Sequence, residues 1–473
     1  MFPHRPNDVS DRVAFAPILL ANLLPLAGVL ALGWEPVTLV LIYGLEVLLS
    51  LLLASVKALF AARPPRADRE DGVLSVSSGL LVERRGSLRP VEWLPPIPLR
   101  NVSFALTVLY TTPVYAFFFG TFLYVVFEPG PELLGLEVLV GVGALFAGQL
   151  AELSQQYVRR RQYERVSPYA AIETPARQVF VVIFALGTLG FALGSTGALV
   201  LVVLVKVLFE WATFRADGGD EPSRFLAWFA GPAESDDELE PVDIPSTEPT
   251  GRARPDRNAV VRNALYRAGK RTVGHLPMVA IAGVLVVLSL SSLLESSLVV
   301  PLGVLALVSL VVAAVTIHAV TYALAYATLE YQRRGAYLVA HDRLVEEPQW
   351  ATRVDELRDV KLVGDRLADR LLGSRTIRVT TGWGETERDR HLGPFVDPDE
   401  VVSTLELPLE VTALEPMERK RAMGAVTLLT IAALSVVATA YVPNGVAFLT
   451  QVLAFGLLLV ALWLWQEAFP DEE

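Results

Sequence analysis

Cysteine is absent from this 473-residue chain, which excludes disulfides, thiol nucleophiles and thiolate metal centres. Histidine is scarce and scattered, at His4, His275, His318, His341 and His391, with no His-x-x-x-His pair. A metal site would need carboxylates gathered by the fold, and no cofactor is expected. No Gly-rich phosphate loop, G-x-S-x-G elbow or H-E-x-x-H occurs, and no nucleophile–base set stands out, so no catalysis is expected. Lysine appears only as Lys57, Lys206, Lys270, Lys361 and Lys420, leaving arginine to carry almost all positive charge. Those arginines are not interleaved with aromatics and the net charge is −11, which argues against a nucleic-acid partner.

What the chain has in abundance is apolar sequence, 53% of residues, with a mean hydropathy of +0.45. Ten blocks are long enough to be read as membrane spans: about 15–33, 36–60, 103–127, 133–154, 178–194, 197–214, 276–294, 299–325, 422–441 and 445–465. The short connections at 33–36, 128–132, 194–197, 294–299 and 442–445 contain no Lys or Arg. The long ones are basic, with Arg84, Arg85, Arg89 and Arg100 in the first and Arg159, Arg160, Arg161, Arg165 and Arg177 in the second. The positive-inside rule then places both termini and every long loop in the cytoplasm of a multi-pass cell-membrane protein. In the first loop, a small hairpin lying on the membrane face is expected. The lysine-poor acidic composition suits a carboxylate-rich surface in strong salt.

The expected organisation has five parts. A six-span domain occupies 1–214, and an acidic linker at 215–257 carries eleven carboxylates and six prolines, a composition expected to stay disordered. Within it, RFLAWFAG (224–231) is expected to touch the bilayer surface. Residues 258–330 hold a basic juxtamembrane helix and a hairpin. In RNAVVRNALYRAGKR, Val261, Ala264, Leu265 and Ala268 are placed on one face, with Arg257, Arg262, Arg267, Lys270 and Arg271 around the rest. That pattern suits either anionic headgroups or a simple positive-inside anchor. A small α+β domain follows at 331–412, and a C-terminal hairpin at 413–473.

YLVAHDRLVEE reads as a strand, a turn at His341-Asp342 and a second strand; VDELRDVKLV and SRTIRVTTGW read as further strands. DPDEVVSTLEL starts a helix, with Asp397 as N-cap and Pro398 at the first position. This order, over about 337–407, resembles the bacterial pleckstrin-homology-like domain. The resemblance implies a bent antiparallel sheet closed by a C-terminal helix. It implies no catalytic residues, and VEEPQWATR lacks the usual basic strand. The N-terminal half, through ANLLPLAGVLALGW and the Lys206–Glu210 run, resembles a multi-pass membrane family of unknown function from halophilic archaea.

Ionisable residues at bilayer depth cost at least about 2.5 kcal/mol unless paired, which singles out Glu46, Lys206 and Glu210. Counted from the external turns at Pro36 and Gly197, Glu46 and Lys206 both lie about 14–15 Å deep. Two helices running in the same direction then permit contact between them, with Lys206–Glu210 as the other pairing. Such a pair either holds the bundle in register or lines a polar pathway, with Asn22, Gln149 and Glu152 contributing. The expected function is a membrane-anchored interaction or assembly protein. Its partners would be membrane lipids and, through the pleckstrin-homology-like domain, a protein or a second copy; a small-solute or ion transporter is the alternative.

Overall fold

One helix, α1 (Pro36–Phe60), is the axis of the first of two units, and its sequence explains why. It is apolar on every side, so it can be covered all round. It packs against α2 (Leu99–Phe127), α3 (Leu136–Glu152), α4 (Pro168–Ala185) and α5 (Phe191–Asp217). The computed structural model describes residues 29, 31, 35–64, 80–127, 136–217, 228–229, 241–272, 299–363, 373–384, 387–409, 418–438 and 444–467.

Two apolar layers stack along α1. Val40, Leu41, Tyr43 and Leu48 meet Phe119 and Leu123 of α2, Val182 of α4, and Leu199, Val202 and Val203 of α5. One layer on, Val47, Leu51, Ala54 and Ala58 meet Phe104 and Val108 of α2 and Ile172 and Val179 of α4. Gly44 is required by this packing, because a Cβ there would lie 1.8 Å from Cζ of Phe119. α4 begins at Pro168 behind a Ser167 cap that accepts from the Ala170 N–H, ten residues before the expected span. π-helical turns follow α3 (Leu153–Arg159) and α4 (Leu186–Gly190), and Gly194 breaks the start of α5 with φ +65°.

Four described helical segments are long and apolar enough to cross a membrane: Pro36–Phe60, Pro168–Leu189, Ala192–Ala212 and Val308–Tyr326, the last within α7 (Val299–Tyr326). Of the ten expected spans, those at 15–33 and 276–294 lie outside the described residues, apart from positions 29 and 31. The two-stranded β1 (Ser87–Leu88) and β2 (Ile97–Pro98) pair antiparallel in the first long loop.

The second unit is built on β-strands. β3 (Gly251–Ala253), β4 (Leu329–Arg334), β5 (Tyr337–Asp342) and β6 (Glu347–Arg353) form one sheet, in that order. β7 (Leu357–Leu362), β8 (Arg375–Thr381) and β9 (Arg388–Phe395) form a second antiparallel sheet, followed by α8 (Pro398–Leu405). Asp397 caps α8 by accepting from the Glu400 N–H at 3.1 Å. Tyr331, Leu338, Ala340, Ile377, Val379, Leu392 and Leu405 make the core between them. A hairpin of α9 (Arg419–Ala438) and α10 (Asn444–Glu467) ends the described chain.

Several expectations are corrected. The second half of the acidic linker is ordered, since β3 pairs with β4 (Arg252 opposite Gln332) and Thr250 N–H donates to Arg333 O at 2.8 Å. Short polar segments of this kind gain order by completing a sheet edge, which composition alone does not register. β5 runs through His341-Asp342, and the turn falls after it. VEEPQWATR supplies β6, and RDRHLGPF supplies β9, which its four polar or charged residues in eight concealed.

Helix α6, residues 257–272, forms where expected behind Asp256, whose side chain accepts from the Ala259 N–H. Its buried face is Ala259, Val260, Asn263, Ala264 and Ala268, whereas Val261 and Leu265 are exposed. Asn263, which donates to Ser374 Oγ at 2.9 Å, rotates the packed face away from the apolar stripe.

Candidate functional site

The Glu46 carboxylate and the Lys206 ammonium meet in the first unit. α1 presents Tyr43 and Glu46 one turn apart on one face, and α5 presents Lys206 and Glu210 four residues apart on one face. Lys206 Nζ donates to both Glu46 oxygens, at 2.8 Å and 2.7 Å. Glu210 Oε1 stands 3.9 Å from the same nitrogen. Beneath them the buried Tyr43 ring receives the ammonium face-on, 4.9 Å from its centroid. The Lys206 and Glu46 side chains keep only 14% and 18% of their exposure, and Glu210 keeps 32%.

Chemically this is one cation with three acceptors of graded strength: a two-oxygen carboxylate, a second carboxylate within electrostatic reach, and a ring. An ammonium removed from water needs such compensation. Glu210 also gives Lys206 an alternative partner on its own helix.

Asn22, Gln149 and Glu152 are the polar residues expected to contribute beside this pair. Asn22 lies outside the described residues, as does the side chain of Glu152. Gln149 sits on α3 with its Oε1 buried and, among the described residues, without a hydrogen-bond donor. On α6, Arg257, Arg262, Lys270 and Arg271 are exposed beside Val261 and Leu265, while Arg267 lies over the Tyr322 ring at 5.1 Å.

A second ion pair escaped the sequence reading. Arg177, taken there as a loop cation, lies inside α4 and donates through Nε to Glu173 Oε1 at 2.8 Å. Their side chains retain 4% and 0% exposure. Arg177 also donates to the Trp228 carbonyl and covers its ring at 5.0 Å. RFLAWFAG was expected to touch the bilayer surface. Its Trp228 and Phe229 instead pack into this unit, Phe229 edge-on against Phe209 of α5 at 5.1 Å. The four-residue spacing of Glu173 and Arg177 was the available signal.

The ends of two helices are closed by side chains from other segments of this unit. Asn101 Nδ2 donates to Ala61 O at 2.7 Å, Tyr157 Oη donates to Lys57 O at 2.6 Å, and Arg100 donates to Ala62 O, all at the C-terminal end of α1. The buried Arg84 donates to Leu324 O and Ala325 O at 3.0 Å and 2.6 Å, at the C-terminal end of α7. These bonds satisfy carbonyls that have no partner within their helix.

The second unit holds a polar ladder along β4. Arg254 Nε and Gln332 Nε2 donate to the two oxygens of buried Glu330, at 2.6 Å and 2.7 Å, and Arg334 Nε donates to Gln332 Oε1 at 2.8 Å. Burial pushes the Glu330 carboxyl up, but the Gln332 and Arg254 hydrogen bonds with the two arginine charges outweigh it and hold the carboxyl below its ordinary value.

Four described helical segments long and apolar enough to cross a membrane, an ion pair between two of them and a set of β-strands are compatible with a membrane protein carrying a β module. Residues 4–223 match a family described only as of unknown function (DUF6498). No curated protein and no solved structure matches the chain.

Proposed function

We propose that this is a ten-span cell-membrane protein that holds a cytoplasmic pleckstrin-homology-like module at the inner face and serves as an interaction or assembly protein. We assign it no catalysis, no cofactor and no nucleic-acid partner. Its partners are the surrounding lipids and a protein, or a second copy, recognised by the module. The observation that carries this reading is the pairing of β3 with β4. The chain leaves this unit after Tyr266 and returns to it at Tyr326, so in this reading residues 267–325 tether the module on both sides. Antiparallel strands followed by one helix, α8, also suit the bent sheet and closing helix that the pleckstrin-homology resemblance implies. The basic long loops support the cytoplasmic placement.

In this reading the Glu46–Lys206 pair fixes the register of the bundle. The test is a photo-crosslinking amino acid at the exposed Trp383 position of the full chain in native membranes. A discrete protein adduct, or a dimer, is the expected result, with none from a matched probe in the short turn at 442–445. Absence of any adduct from a series of exposed positions around the module overturns the interaction role.

A second reading, ion or small-solute transport, is favoured by one observation: Lys206 has Glu210 as an alternative partner 3.9 Å away. Proteoliposomes that move protons or a test cation faster than empty vesicles, and lose this with Glu46→Gln, support it. Equal rates in loaded and empty vesicles dismiss it.

A further inference from the structure

We propose that the loop between β1 and β2 is a bilayer anchor, seating Trp93 in the headgroup region of the inner leaflet; this rests on the membrane reading above. The depth of the loop is set by what it is bonded to. On one side, Arg84 donates to the last-turn carbonyls of α7, Leu324 O and Ala325 O. On the other, Arg100 and Asn101 donate to Ala62 O and Ala61 O, where α1 ends. Both helices are apolar and of spanning length. At 1.5 Å per residue α1 is about 37 Å long, against a hydrocarbon core of about 30 Å, so its terminal carbonyls lie in the interface. A loop strapped to two such ends lies at that level as well.

Between the straps the chain forms a closed hairpin. Ser87 pairs with Pro98, Leu88 with Ile97, and Leu99 N–H donates to Gly86 O at 3.1 Å. Residues 89–96 are therefore held out as a tip, tightened by Leu94 N–H donating to Val91 O. Two apolar side chains of this tip face outward: Trp93 is 74% exposed and Val91 41%. In water such a tip leaves a large ring unburied. In the headgroup region the indole body finds acyl chains while its N–H finds phosphate or carbonyl oxygen. Exposed Arg89 stands four residues away, a suitable contact for anionic headgroups.

The cysteine-free chain gives a clean test. Trp93→Cys, Leu204→Cys and Trp383→Cys in the full-length protein each take one nitroxide, in nanodiscs of phosphatidylcholine and phosphatidylglycerol. Leu204 is an exposed residue of α5 and Trp383 an exposed residue of the β module. The expected result is lost nickel-complex relaxation with high oxygen relaxation at 204, strong nickel relaxation at 383, and values between those two at 93. If 204 is oxygen-exposed but 93 matches 383, the anchor is overturned while the membrane reading stands. If 204 also relaxes with nickel, both fall. A label at 93 shielded from both reagents shows a protein cover and also overturns the anchor. Val91→Cys repeats the measurement where the Trp93 variant does not fold.

Discussion

Lys206 on α5 donates to both carboxylate oxygens of Glu46 on α1, 160 residues earlier in the chain, at 2.8 Å and 2.7 Å. Removing one partner leaves the other charged and poorly hydrated, which costs about 3–5 kcal/mol for fully buried pairs and less here because both retain some exposure. Glu46→Gln and Lys206→Met should each lower the melting temperature of the detergent-solubilised protein, by about 2 kcal/mol in stability. The exchange Glu46→Lys with Lys206→Glu should recover more than half of that loss. A double exchange that loses the sum of the single effects would show that the contact carries no coupling.

Gly44 lets the Phe119 ring lie directly on α1. Gly44→Ala should force that ring aside, at a cost of about 1–3 kcal/mol from overpacking. Pairing it with Phe119→Leu should restore part of the stability, read as the monodisperse fraction after heating and size exclusion. No recovery would mean that the ring is not the obstacle.

The Glu173–Arg177 pair is more completely buried than Glu46–Lys206. Arg177→Met should therefore cost about 3–5 kcal/mol, more than either single change at Glu46 or Lys206. It should also shift the tryptophan emission, because Arg177 covers the Trp228 ring. Equal or smaller destabilisation, measured side by side in thermal unfolding, would contradict the burial ranking.

Gly251 tests whether β3 is part of the module. A Cβ there would stand 2.0 Å from the Thr404 carbonyl oxygen of α8, a main-chain atom that has little freedom to move. Gly251→Val should cost the module at least about 2 kcal/mol. Hydrogen exchange should show the loss as faster exchange in β4 and α8, and unchanged exchange there would argue against the β3 placement.

Glu330 gives the module a pH dependence of known sign. Its carboxyl titrates below the ordinary value of 4.5 in the folded state, so its stabilising contribution is complete above that value. The contribution is lost as pH falls from there through the folded-state value. Glu330→Gln should flatten that part of the stability curve and reduce stability at pH 7. An acid limb unchanged by the substitution would remove Glu330 from the account.

Much of the membrane half was legible because a lipid solvent imposes simple rules. Uncharged runs of spanning length and arginine-rich loops can be read directly, and so could the equal depth of Glu46 and Lys206. Tyr43 was missed although it lies one turn from Glu46, because a tyrosine in an apolar run carries no mark of its own. Arg177 was misplaced because a cation near a span end is ordinarily a loop residue; a buried carboxylate four residues earlier keeps it inside.

Local pattern was enough for the apolar helices, the start of α8 at Asp397 and Pro398, and the charges that must find partners. Those follow from local propensity and from the cost of desolvation, which act residue by residue. Tertiary packing gave Lys206 to Glu46 in preference to its own neighbour Glu210. It alone brought 251–253 from an acidic linker into a sheet with β4. Trp228 and Phe229, expected at the bilayer surface, went to the helices for the same reason. Each depends on groups far apart in the chain coming within a few ångströms, and no local pattern encodes that distance.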